Sequence, residues 1–126
     1  MPGVLFRSVP FRSTRIRLTS RRAANLIVSR AGEHDLRLAD IATELRVEER
    51  WLSRHLKKNT LKGFFEHLHD ARCDRARQLL IATTGAVKAI AWQVGYRRAS
   101  DLDREYRRRF GKKPSSDRAR ESLDCE

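Results

Sequence analysis

The sequence predicts an all-α fold of seven helices, arranged as two similar units joined by a long connector helix. Three observations predict it. No proline lies between Pro10 and Pro114, and helical spacing of apolar residues fills that interval without strand alternation. Glycines at 32, 63, 85, 95 and 111 cut the interval into helix-length pieces. The chain also repeats itself: Asp40-Ile41-Ala42-Thr43-Glu44-Leu45 matches Ala89-Ile90-Ala91-Trp92-Gln93-Val94, and Leu52-Ser53-Arg54-His55-Leu56-Lys57-Lys58 matches Leu102-Asp103-Arg104-Glu105-Tyr106-Arg107-Arg108. The offset grows from 49 to 50, which places one extra residue in the second turn.

Each helix has its own signal. Thr19 or Ser20 can cap a first helix with the stripe Ala23, Leu26, Ile27 and Ala31, ended by Gly32. The second, about Leu38 to Leu45, turns Leu38, Ile41, Ala42 and Leu45 inward. A turn through Arg46 and Val47 leads to the third, about Glu48 to Lys58, with acids in its first turn, lysines in its last, and Leu52 and Leu56 facing the core. The long fourth follows Gly63 and ends near Ala82, with Phe64 or Phe65, Leu68, Ala76, Leu79 and Leu80 as its stripe. Val87, Ile90, Ala91 and Val94 define the fifth. The sixth opens after Gly95, carries Leu102, Tyr106 and Phe110 on one face, and closes at Gly111. Pro114 suits the first turn of a seventh, Ser115 to about Ser122.

The expected organisation is a disordered basic arm at 1–19 and one domain at 20–122, with a short tail at 123–126. Within the domain, 20–62 forms a first unit, 63–82 the connector and 83–122 a second unit. The first 32 residues hold seven arginines and no acid, which fits a basic arm that adds phosphate contacts or an organelle transit peptide; nothing else looks organellar, so the arm is preferred.

Charge narrows the function. A net charge of +12 and a pI near 11 favour a polyanion: DNA, RNA or an acidic membrane surface. No apolar run approaches the ~20 residues that span a bilayer, and Val4-Leu5-Phe6 is too short for a secretory core. Cys73 and Cys125 lack metal or redox spacing, so a reduced intracellular setting is expected. His69 and Cys73 share a helix face, but no third or fourth metal ligand is evident. No Ser/His/Asp set, carboxylate pair or glycine-rich phosphate loop appears, so neither an enzyme nor a cofactor is expected.

The placement of the charge points to DNA. Each unit has the order small helix, turn, basic helix, which reads as helix-turn-helix. In the first, Arg50, Ser53, Arg54 and Lys57 share the outer face of the third helix. In the second, Ser100, Asp103, Arg104 and Arg107 form the outer ridge of the sixth, with Arg97 and Arg98 at the turn as phosphate contacts. Arginine can donate two hydrogen bonds to a guanine edge, worth about 1–3 kcal/mol of discrimination. The bland alternative is a solvated helix face. Asp103 has three readings: it accepts from a cytosine amine, repels phosphate, or pairs with Arg107 at i, i+4, and the last is slightly preferred. Arg108, Arg109, Lys112 and Lys113 are phosphate contacts or solvated charge. Trp51 packs at the core edge or wedges against the DNA backbone, and Arg72 and Arg75 read as structural, holding acidic neighbours between the units.

These residues resemble the DNA-binding domain of the AraC/XylS family of bacterial transcription regulators, over about Leu36 to Arg118. The strongest part is Ile90-Ala91 through Val94-Gly95-Tyr96, then Leu102, Arg104, Tyr106, Arg109-Phe110-Gly111 and Pro114-Ser115. Leu38, Asp40-Ile41-Ala42, Leu52-Ser53-Arg54, Arg72, Arg75-Ala76-Arg77 and Leu79-Leu80 add to it. Arg46 stands where the family's first turn usually has glycine, Leu61, Gly63 and Phe64 where it usually shows glycine, serine and proline, and Arg37 and Ala86 replace the usual hydroxyl caps. The resemblance implies a cytoplasmic, nucleoid-associated bacterial regulator. It implies that the third and sixth helices read adjacent major grooves of double-stranded promoter DNA, and that the protein contacts RNA polymerase. Two reading helices in one chain allow binding as a monomer. The alternatives are a non-specific basic protein that coats nucleic acid and a family remnant that acts only through protein contacts.

Overall fold

Four helices stop at a residue that turns left-handed: Arg46 (φ 57°), Leu61 (φ 66°), Gly95 (φ 117°) and Gly111 (φ 75°). In a computed structural model, which describes residues 2–118 with side chains from Thr14 onward, the order is α1 (Pro2–Arg30), α2 (Leu38–Leu45), α3 (Glu49–Thr60), α4 (Phe64–Ala82), α5 (Val87–Val94) and α6 (Ala99–Phe110). A final helical run, α7, covers 114–118. No strand occurs among the described residues, and α2 packs on α3 as α5 packs on α6. The expected end of the seventh helix, near Ser122, lies outside the described residues.

The apolar stripes are the reason these segments are helices. Ile41 and Ala42 on α2, and Leu52 and Leu56 on α3, are buried at i, i+1 and i, i+4 spacing. In the other half, Cys73, Ala76, Leu80, Ile90, Ala91, Val94, Tyr96, Leu102 and Tyr106 form one buried cluster, edged by Leu79, Val87, Ala99 and Phe110. On α4 the ambiguity between the two phenylalanines resolves: Phe64 is buried and Phe65 is 67% exposed. The α2 N-terminus has no hydroxyl cap, yet the Arg37 backbone N–H donates to Asp40 Oδ2 at 2.9 Å, which supplies one half of a capping box.

Two expectations about the first 36 residues are corrected. The first helix does not start at Thr19 or Ser20 after a disordered arm; it spans Pro2–Arg30 and passes through the anticipated arm boundary at residue 19. Within the part whose side chains are described, helical spacing reaches back through Ala23 and Ser20 to the half-buried Ile16, so burial continues along α1. Ser20 is buried, and its hydroxyl donates to the His55 carbonyl at 3.3 Å and accepts from Asn59 Nδ2 at 3.1 Å. Thr19 instead donates back to the Arg15 carbonyl inside the helix.

The division into units also differs. Among the described residues, one compact unit comprises 2–27 and 37–67, the other 28–36 and 68–118. Segment 28–36, expected in the first unit, belongs to the second, and α4 is divided near its start instead of standing apart as a connector. Arg72 links segment 28–36 to α4 within the second unit. This buried residue donates from Nε to the Ala31 carbonyl and from Nη2 to the Glu33 carbonyl, each at 2.8 Å. Its guanidinium also lies over the Tyr96 ring. Arg72 is structural, as expected, but its partners are backbone carbonyls within one unit and not acidic side chains between two.

Candidate nucleic-acid interface

The first ridge is built on α3. Leu52 and Leu56 are buried, and this fixes the rotation of the helix so that Arg50, Ser53, Arg54 and Lys57 are all exposed. Glu49 in the first turn and Lys57 and Lys58 in the last complement the helix dipole. The turn ahead of it is tight: Val47 N–H donates to the Ala42 carbonyl at 3.0 Å across the left-handed Arg46. Trp51 is half-buried with its ring centroid 4.4 Å from that of His55. Burial, then the Arg54 and Lys58 charges, push the His55 imidazole below its ordinary value, so it is neutral at neutral pH. Arg50, Arg54 and Lys57 form no ion pair among the described residues.

The second ridge is built on α6, where the fully buried Leu102 and Tyr106 set the rotation. Ser100, Arg104, Arg107 and Arg108 are exposed and Asp103 is half-exposed. Unlike α3, this helix pairs its own charge. Arg107 Nε lies 3.0 Å from Asp103 Oδ2, the i, i+4 pairing. Arg104 reaches Asp101 and Glu105, each at 3.4 Å, and Arg108 Nε reaches Glu105 at 2.8 Å. Burial pushes the Glu105 carboxyl up, but Arg108, His69 and Arg104 outweigh it and hold it below the usual carboxylate range. At the turn, Arg97 Nη2 donates to both Asp35 oxygens at 3.0 and 2.9 Å, while Arg98 stands exposed at the α6 N-cap with no ion pair among the described residues.

The structure therefore gathers Arg50, Ser53, Arg54 and Lys57 on one exposed face, and Ser100, Asp103, Arg104 and Arg107 on another, with Arg97, Arg98 and Arg108 beside the second. The carboxylates of Glu105 and Asp35 were not anticipated as members of the site. The i, i+3 spacing of Glu105 and Arg108 is a sequence signal; the 62-residue separation of Asp35 and Arg97 is not. Three of the four basic residues left open between phosphate contact and solvated charge have intramolecular partners: Arg108 pairs with Glu105 at 2.8 Å, Arg109 with Asp74 at 2.9 Å and Asp70 at 3.4 Å, and Lys112 with Asp117 at 2.7 Å.

His69 and Cys73 take packing roles. His69 Nδ1 bonds the Tyr96 hydroxyl at 2.7 Å, and burial pushes the Cys73 thiol up to about 12. Among the described residues, no three His, Cys, Asp or Glu side chains are placed to hold a metal, and no helix is long and apolar enough to cross a membrane.

A family profile described as a helix-turn-helix domain matches residues 41–120. A curated relative, the HTH-type transcriptional regulator CdhR of Pseudomonas aeruginosa, is 34% identical over 113 residues, which is 85% of this chain and 32% of that protein. The chain thus spans about a third of that relative's length. Among solved structures, the C-terminal domain of AraT, a response regulator from Geobacillus stearothermophilus, superposes with a TM-score of 0.76 at 29% identity, covering 80% of this chain and 84% of that one. A Chromobacterium violaceum regulator of the AraC-type DNA-binding kind gives 0.73 at 26%, covering 86% and 95%. The DNA-binding domain of AdpA, solved with a target DNA, gives 0.72 at 21%, covering 79% and 89%; at that identity the likeness shows the fold alone.

Proposed function

Because the chain belongs to the AraC/XylS family of helix-turn-helix regulators, which are DNA-binding proteins and not enzymes, we propose that it is a sequence-specific DNA-binding transcription regulator in which α3 and α6 each enter a major groove. One observation carries this reading: the two exposed ridges occupy equivalent positions of the internal repeat. With an offset of 50, Arg54 corresponds to Arg104, Lys57 to Arg107, Ser53 to Asp103 and Arg50 to Ser100. A mere bundle has no reason to repeat its solvent face. The core must repeat for the units to fold alike, but nothing in folding requires the basic charge that Arg54 shares with Arg104 and Lys57 with Arg107 on the outer face.

In this reading Arg54 and Arg104 are the principal base-reading candidates, Arg50, Lys57 and Arg98 meet phosphates, and Ser100 contacts a base or phosphate. The partner in this reading is double-stranded promoter DNA. Contact with RNA polymerase, binding as a monomer and association with the cytoplasmic nucleoid belong to the same proposal.

The test is selection from a randomised duplex library at about physiological salt, where phosphate attraction alone is weak. The expected product is a motif with two informative blocks about 10 base pairs apart, one helical turn. Arg54→Ala should erase information in one block, at a cost of about 1–3 kcal/mol on the selected site. Binding without any enriched motif would replace this reading with non-specific coating of nucleic acid. No duplex binding at all would leave protein contacts as the remaining role.

A further inference from the structure

The two ridges differ in how their charge is engaged. Helix α3 carries four basic residues against one acid, Glu49, and the ridge residues Arg50, Arg54 and Lys57 have no ion-pair partner among the described residues. Helix α6 carries four arginines against three acids, and all four arginines are paired. The geometry at Arg107 is selective. Its shortest approach to Asp103 is through Nε, at 3.0 Å, and neither terminal nitrogen forms a hydrogen bond among the described residues. Two adjacent N–H donors are what a guanine edge accepts.

Building on the reading above, we propose that α3 supplies most of the sequence-independent hold on DNA while α6 supplies most of the discrimination between sequences, with Asp103 as the residue that positions Arg107 and denies it to phosphate. An unpaired guanidinium in a groove moves to the nearest phosphate, and every sequence offers one. A carboxylate 3.0 Å from Nε cancels much of that pull. It also repels the backbone itself. A correct base edge returns two hydrogen bonds to the terminal nitrogens, whereas a wrong edge leaves the repulsion uncompensated. Asp103 thus weakens binding everywhere and weakens it least at the right site.

The experiment compares the parent with Asp103→Asn, with the charge-conserving pair Asp103→Asn/Arg107→Gln, and with Lys57→Gln on α3. Each is titrated with the duplex selected by the parent and with random duplex of equal length, from about 50 to 200 mM salt. Asp103 and Arg107 are both substantially exposed, so each variant is expected to fold, and circular dichroism checks it. Asp103→Asn should bind random duplex at least about fivefold more tightly at the lowest salt. Its log–log salt slope should steepen by about 0.9, one freed phosphate contact. Its preference for the selected duplex should fall. The charge-conserving pair should keep the parent's slope and lose about tenfold in preference. Lys57→Gln should flatten the slope by about 0.9 and keep most of the preference. An unchanged slope in Asp103→Asn, or parental preference in the charge-conserving pair, overturns the division of labour while leaving the functional reading intact. A parent that shows no preference for its selected duplex overturns the functional reading itself.

Discussion

Arg46 and Gly95 occupy the same place in the two repeats, 49 residues apart, and opposite substitutions there should move stability in opposite directions. Both end a helix in a Schellman turn: Val47 N–H donates to the Ala42 carbonyl, and Tyr96 N–H to the Ala91 carbonyl. Arg46 sits at φ 57°, ψ 44°, inside the small left-handed region that an L residue tolerates at about 1–2 kcal/mol. Arg46→Gly removes that strain and adds about 0.5–1 kcal/mol of unfolded-chain entropy. The net expectation is a gain of roughly 0.5–1 kcal/mol. Gly95 is different. At φ 117°, ψ 0° it lies outside that region, and a Cβ would meet the Ala31 carbonyl oxygen and Arg72 Nε at 2.6 Å and Arg72 Cζ at 2.9 Å. Gly95→Ala must therefore push Arg72 off the Ala31 and Glu33 carbonyls. Hydrogen bonds from a charged donor contribute about 1.5–3 kcal/mol each. With the backbone strain, the loss should be at least about 3 kcal/mol, a large part of a small domain's stability. The two tryptophans give a reading of each unit, since Trp51 lies on α3 and Trp92 on α5. In urea titrations of single-tryptophan backgrounds, Arg46→Gly should raise the Trp51 midpoint by roughly 0.3–0.7 M. Gly95→Ala should collapse the Trp92 transition. A Gly95→Ala protein within about 1 kcal/mol of its parent, or a lowered Trp51 midpoint in Arg46→Gly, would refute the argument.

Asp117 is buried and accepts from the Tyr106 hydroxyl while pairing with Lys112 and, at 3.7 Å, with Arg77. Burial pushes its carboxyl up, but those three partners outweigh it and hold it below the usual range. A depressed folded value contributes stability that is full above the unfolded value of about 3.9 and lost as pH falls through the folded one. Asp117→Asn should cost about 1–3 kcal/mol at neutral pH, with the gap to the parent shrinking in acid; a gap that stays constant from pH 7 to pH 2 on the order of that size would sink the assignment. Ser20→Ala removes a buried hydroxyl that serves both His55 and Asn59 and should lower stability by about 1 kcal/mol, checked by the Trp51 transition. Cys73 is fully buried with its thiol pushed up to about 12, so in a Cys125→Ser background it should alkylate at pH 8 about a hundredfold or more slowly in the native protein than in urea. Rapid native labelling would mean that the second unit opens readily.

Most of the helix plan was determined by the sequence alone. The expected limits of α2 and α5 coincide with the observed ones, because hydrogen bonds between residues four apart and a stripe of apolar side chains are both local properties of the chain. The repeat is equally local to each unit, and it picks out both ridges. The i, i+4 spacing of Asp103 and Arg107 was also visible, since two residues one helical turn apart meet wherever the helix lies. Even the strained caps had a trace: Arg46 and Leu61, which turn left-handed, stand where glycine is usual in the family.

What only the tertiary structure decided are contacts between residues far apart in the chain. Phe64 and Phe65 are adjacent and equally apolar, and the packing of α4 chose between them. Arg72 reads in sequence as a candidate for a carboxylate partner. Its actual partners are carbonyls 39 and 41 residues away, groups that every residue carries and that leave no mark on composition. That pairing ties segment 28–36 to α4 within the second unit. The partners of Arg97 and Arg109 lie 62 and 35 residues away, so the sequence could count the basic charge but not how much of it was already neutralised. Helical order follows from neighbours a turn apart; the pairing of charge and the grouping of helices into units depend on which distant segments the core brings together.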